Sequence, residues 1–156
     1  TENKKIKTNS WKAWLLATRP KTLAGAAVPV MIGVALALRT TGWQHFRFVP
    51  TILCFLFAFL MQVDSNLIND YFDFRHGNDD PATRLGPKRA CSEGWITPRA
   101  MVAGLALVSV LACAVGLPLV WYGGWQMIIV GAACVLFAFL YTTFFSYQGL
   151  GDVLVL

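Results

Sequence analysis

Charge is what this sequence has least of. Lys, Arg, Asp and Glu make up 13% of its 156 residues, against roughly 25% in soluble domains, while 56% are hydrophobic. Residues 100–151, 52 in all, contain no Asp, Glu, Lys or Arg. That is room for two membrane crossings of about 20 residues each and a turn, so a water-soluble domain is excluded. The mean hydropathy of +0.56 agrees. Paired-cysteine signals are missing too. Cys54, Cys91, Cys113 and Cys134 form no CxxC and no metal-ligand spacing, so they are expected to be reduced filler thiols. The basic stretch TENKKIKTNSWKAW is not followed by a short apolar region with a small-residue cleavage site, so no cleaved signal peptide is expected. The net charge of +5 forms no separate basic surface, since the cations lie beside apolar segments, and nucleic acid is not an expected partner.

What is present reads as an all-α, polytopic transmembrane bundle. WKAWLLATRPK (11–21) suits a short interfacial helix, broken at Arg19, Pro20 and Lys21. A first span is expected over 22–38, with small residues for close packing and a tolerated kink at Pro29. An aromatic linker with Trp43, His45, Phe46 and Phe48 follows, His45 reading as a headgroup-level residue. The second span covers 50–74, and Gly77 is a natural helix stop. Thr97 and Pro98 open the third span, to about 120, as a capping hydroxyl and a first-turn proline. WYGGWQ turns the chain into a fourth span over 127–145, after which VLVL (153–156) begins a fifth. The chain is therefore read as the N-terminal part of a longer protein.

The second span ends in acids and amides without leaving its helical pattern. Taking Asn66 as zero and about 100° per residue, Gln62, Asn69, Asp70 and Asp73 fall with it in an arc of roughly 100°. Tyr71 and Asp64 point away from it. Neighbouring carboxylates repel unless a cation lies between them, and hard oxygen ligands suit Mg²⁺ with a phosphorylated substrate. Each residue alone is equally a wet helix end at the headgroups, which is the reading kept for Asp64. The set together points to a cavity, as intramembrane acids do.

Cations fix the orientation. Lys4, Lys5, Lys7, Lys12, Arg19 and Lys21 precede the first span, Arg39 and Arg47 follow it, and Arg75, Arg84, Lys88, Arg89 and Arg99 lie between the second and third. The N-terminus and the 75–99 loop are then cytoplasmic. Arg19 and Lys21 either anchor at headgroups or grip an anionic group such as diphosphate. The loop cations serve topology, phosphate attraction, or both.

Four stretches resemble the UbiA superfamily of intramembrane prenyltransferases. NLINDYFDFRHGND (66–79) is similar to its first aspartate-rich motif, and ATRPKTL (17–23), RLGPKRACSEGWIT (84–97) and YQGLGD (147–152) resemble its menaquinone branch. The resemblance implies a bundle of about nine spans, of which four and the start of a fifth are here, with residues 1–156 as the N-terminal part of one prenyltransferase domain. It implies transfer of a polyprenyl group from polyprenyl diphosphate to an aromatic acceptor, 1,4-dihydroxy-2-naphthoate, with loss of CO₂, in the bacterial inner membrane. By motif position Asn66, Asp70, Asp73 and Asp79 would hold Mg²⁺, and Asp70, Asp73 and Lys88 would act on the leaving group. Arg19, Lys21, Asn69, Arg84, Arg89, Tyr141, Tyr147 and Asp152 would bind substrates. The stricter spacing has an acid four residues after Asp73, where Gly77 stands, and Asp79 is the acid that takes its place. The second aspartate-rich motif would lie past Leu156, so these residues alone are expected to be inactive. The rival readings are a related enzyme using 4-hydroxybenzoate, homogentisate or haem, a structural interaction subunit, and a cation-path fragment. A path would place ionisable groups at several depths rather than at one end.

Overall fold

The structure, a computed structural model, describes residues 6–77 and 88–140. Every regular element among them is helical, as a chain must be whose backbone is satisfied inside lipid. Ser10 opens α1 (Trp11–Ala17), its Oγ accepting the Ala13 amide at 3.3 Å. The helix stops where Arg19 meets Pro20, because the proline ring disfavours the helical region for the residue before it. Arg19 takes φ 50° instead, and a 3-10 turn, Pro20–Thr22, leads into α2 (Leu23–Thr41). The interfacial helix is thus seven residues long and ends at the expected break. α2 continues through Pro29 and ends at Gly42, whose φ of 71° breaks it.

A 3-10 turn, Trp43–His45, carries the aromatic linker, in which Phe46 meets Phe48 edge-on at 5.0 Å between centroids. α3 (Phe48–His76) then runs 29 residues without a break. At 1.5 Å per residue it is about 43 Å long, more than the roughly 30 Å of hydrocarbon it has to cross. One helix therefore carries both the apolar run and the polar end. Gly77 closes it at φ 66° in the left-handed region, as expected. Thr97 accepts the Ala100 amide at 3.4 Å to start α4 (Pro98–Gly116), after which a 3-10 turn, Leu117–Leu119, and α5 (Val120–Gly123) follow. Gly124, at φ 75°, reverses the chain into α6 (Gln126–Leu140).

Among the described residues, three stretches are long and apolar enough to cross a bilayer: Trp11–Thr41, Phe48–His76 and Pro98–Gly123. α6 is equally apolar over its 15 described residues, and its expected continuation to 145 and the segment 153–156 lie outside the described residues. α3 is central, packing against α2, α4 and α6. Val28, Ile32 and Leu36 of α2 and Leu107, Val110 and Leu111 of α4 point outward, a surface suited to lipid rather than water. The densest packing lies instead at the polar end, where Ala13, Ala17, Leu67, Ala90, Cys91, Ile96 and Met101 form a closed core. Gly104 lets α1 approach α4 there, since a Cβ at that position would collide with the Trp14 ring.

Candidate functional site

The segment from Lys88 to Cys91 lies against the polar end of α3. Asp70, 1% exposed, accepts the Ala90 amide on Oδ2 at 2.7 Å and the Cys91 amide on Oδ1 at 2.9 Å. One turn on, Asp73 is ion-paired with Arg89. The repulsion expected between the two acids is thus relieved by separate partners, a pair of backbone dipoles for one and a guanidinium for the other.

The same loop is held from its other side by the segment before α1. The Asn9 amide donates to the Trp95 carbonyl at 2.8 Å, Asn9 Oδ1 accepts the Thr97 amide at 3.0 Å, and the Thr8 hydroxyl donates to the Gly94 carbonyl at 3.2 Å. Asn9 does this at φ 54°, a conformation asparagine tolerates better than most residues.

Asn66 ties in a third strand of the arrangement. Its Nδ2 donates to the Thr18 carbonyl at 3.0 Å and to Thr22 Oγ1 at 2.9 Å, which brings the α1–α2 junction beside α3. Arg19 sits half-buried in that junction and Lys21 is exposed on it. Asn69 is half-buried next to Asp70. Lys88 stands at the rim, 68% exposed, with Nζ 3.5 Å from Glu93 Oε2. Asp79, Arg84, Tyr141, Tyr147 and Asp152 lie outside the described residues. Of the polar patches expected to meet the acid face, the α1–α2 junction reaches Asn66 through Thr18 and Thr22, and Arg89 reaches Asp73, while Lys88 pairs with Glu93 instead.

Arg89 has the most distinctive environment of the group. It is 9% exposed, and beyond its Asp73 contact its Nε and Nη1 are buried without a hydrogen-bond partner among the described residues. A guanidinium offers five donors in a fixed fork, and two of the nitrogens of this one have no partner among the described residues. Among the described residues no three His, Cys, Asp or Glu side chains come together as a metal-binding group. The loop covers Asp70 and Asp73, and a surface hollow lined by Tyr71, Phe72, Arg75 and His76 lies on the other side of the helix end.

Asp64 departs from its headgroup-level reading. It is fully buried, and Ser109 Oγ lies 3.1 Å and 3.0 Å from its two oxygens. About 9 Å deeper along α3 than Asp70, it faces α4 and clamps the two helices together. Its side chain needed a partner that sits in the middle of the charge-free run, where a lone serine gave no signal. Ser109→Ala should leave a buried carboxyl without its hydroxyl, at a cost of about 1–3 kcal/mol. Thermal unfolding in detergent reads this as a lower midpoint.

Cys91 is a buried free thiol of the core, as expected, and it lies against the acid that holds the loop. Burial, followed by the charge and the hydrogen bond of Asp70, pushes its thiol up from 9.0 to about 12. At neutral pH it is held as the thiol, and thiolate is the reactive form. Maleimide labelling at pH 7.5 should leave Cys91 unmodified in the folded protein and modify it after denaturation.

Comparison with known proteins bears on the same stretches. The model of the UbiA prenyltransferase family matches residues 26–156. The chain is 38% identical over 155 residues to the 1,4-dihydroxy-2-naphthoate octaprenyltransferase of Escherichia coli, covering 93% of the chain and 49% of that protein. It is 32% identical to the protein of the same name in Haemophilus influenzae, covering 99% and 52%. A UbiA prenyltransferase domain-containing protein 1 homolog of Drosophila melanogaster is also 32% identical, covering 93% and 41%. The chain spans about half the length of these curated relatives. No solved structure matches it.

Proposed function

Because this chain belongs to the UbiA prenyltransferase family and is an integral membrane protein, we propose that it serves the prenylation of 1,4-dihydroxy-2-naphthoate. The donor is a polyprenyl diphosphate. Its allylic C–O bond breaks as diphosphate departs, a C–C bond forms to the aromatic ring, and the acceptor's carboxylate leaves as CO₂, so the ring stays at the hydroquinone level and the product is demethylmenaquinol. The excess of cations at the polar end of the bundle supports a site on the cytoplasmic side, in a bacterial inner membrane.

The single observation that carries this reading is Arg89, a nearly buried cation at the end of a membrane helix, paired with Asp73 and holding two buried donors in reserve. Such a fork suits phosphate oxygens better than a point charge does. Lys88 at the rim and Arg19 and Lys21 across α3 add positive charge that draws an anionic substrate to this end. Asp73, at the edge of the covered face with an 18% exposed side chain, fits a ligand of a hard divalent ion. Asn66 and Asn69 stand with it on the same face of α3, and Asp79, which follows in the sequence, lies outside the described residues. Mg²⁺ bound there would stabilise the negative charge that develops on the departing diphosphate. The residues themselves orient the diphosphate and neutralise its charge. The apolar bundle keeps water from the allylic cation.

The test is an assay of full-length protein in membranes, given polyprenyl diphosphate, Mg²⁺ and, in turn, 1,4-dihydroxy-2-naphthoate, 4-hydroxybenzoate and homogentisate. Product and CO₂ are expected with the naphthoate. Turnover with another acceptor alone would move the chain to a different branch of the family, and none with any would overturn the reading.

A further inference from the structure

Asp70 stands on the same helical face as Asp73, yet its surroundings are of another kind. Both of its oxygens are taken by loop amides, at 2.7 Å and 2.9 Å, and it is 1% exposed inside the core that Ala90, Cys91 and Ile96 share with Leu67. A ligand of Mg²⁺ has to stand within about 2.1 Å of an ion that demands octahedral room and keeps several waters. Two N–H dipoles aimed at the carboxylate present positive hydrogens where that ion would sit. Asp73, by contrast, keeps an 18% exposed side chain at the edge.

The amides that Asp70 holds belong to the two residues directly after Arg89. Fixing Ala90 and Cys91 fixes the backbone from which the Arg89 side chain reaches Asp73. The clamp by Asn9 at Trp95 and Thr97 holds the far end of the loop but leaves this end to Asp70.

We propose that Asp70 is a positioning residue, a carboxylate latch that seats the 88–91 backbone on α3 and so aims Arg89, and that it is not a ligand of the divalent metal. The proposal rests on the reading of this end as a diphosphate site for its consequence in turnover, but the latch itself is read without turnover. Two acids three residues apart on one face then divide the work: Asp73 meets the metal and Arg89, and Asp70 holds the loop.

The experiment is hydrogen–deuterium exchange of full-length protein in detergent micelles, followed in the peptide covering 88–97. In the wild type, Asp70 protects the Ala90 and Cys91 amides, and millimolar Mg²⁺ alone should leave their exchange unchanged. Asp70→Asn places an amide NH₂ against one of those N–H groups, and exchange there should quicken at least tenfold. In membranes the same variant should raise the KM for polyprenyl diphosphate about tenfold with the half-saturating Mg²⁺ concentration unchanged. Faster exchange on adding Mg²⁺ to the wild type would show the ion competing for Asp70 and would overturn the proposal, as would wild-type protection in Asp70→Asn or a tenfold rise in its Mg²⁺ requirement. Should Asp70→Asn not fold, the wild-type arm with Mg²⁺ decides alone. Failure of prenyl transfer in the wild type with the exchange results intact would count against the enzyme reading and not against the latch.

Discussion

Asp73→Ala in the full-length protein should abolish Mg²⁺-dependent prenyl transfer in membranes while the amount of membrane-inserted protein stays unchanged. The loss follows from what this carboxylate does at the edge of the covered face. It is the partner of Arg89, keeps an 18% exposed side chain, and is the proposed ligand of the divalent ion. Losing one preorganised electrostatic partner of a developing charge costs on the order of 100- to 1000-fold in turnover, and the proposed metal ligand and the ion pair of Arg89 are removed together. Asp73→Asn is the sharper variant, because it keeps the size of the side chain and removes only its charge. It should be nearly as inactive, and full turnover in both variants would refute the metal role.

Arg89→Ala should raise the KM for polyprenyl diphosphate, and Arg89→Lys should restore little of the loss. A hydrogen bond to a charged group contributes about 1.5–3 kcal/mol, which corresponds to about 10- to 150-fold in KM. Lysine brings charge without the planar fork, so it cannot replace two donors held at a fixed angle. The alanine variant also leaves Asp73 without its cation in a largely covered position, and a lower melting temperature should accompany the kinetic effect. Steady-state kinetics against diphosphate concentration separates the two. A KM equal to wild type in Arg89→Ala would remove this side chain from the substrate.

Much of the fold was legible because its signals are local. The break at Arg19 and Pro20, the stop at Gly77 and the cap at Thr97 each depend on neighbouring residues, and all three stand where the sequence puts them. The polar arc on α3 was legible for the same reason, since a helix repeats at a fixed angle. What that arc faces was not. Asp70 finds its partners 20 and 21 residues away, Asp64 finds Ser109 at a separation of 45, and Asn9 finds Thr97 at 88. Nothing in the residue types marks such pairs in advance. Equal spacing on the wheel made Asp70 and Asp73 look alike, and only the returning loop tells them apart. Asp64 went to the headgroups for the same reason, because a carboxylate facing away from the acid arc had no visible partner.

The claim at the centre is that a diphosphate and a divalent ion meet at the end of α3 under the 88–91 backbone. Exchange measured across peptides covering 66–97 in the full-length protein, with inorganic diphosphate and Mg²⁺ added singly and together, addresses it most directly. Protection of the Arg89 region with both present, and none with Mg²⁺ alone, is the predicted result. Unchanged exchange at this end, or protection confined to another part of the bundle, would contradict it.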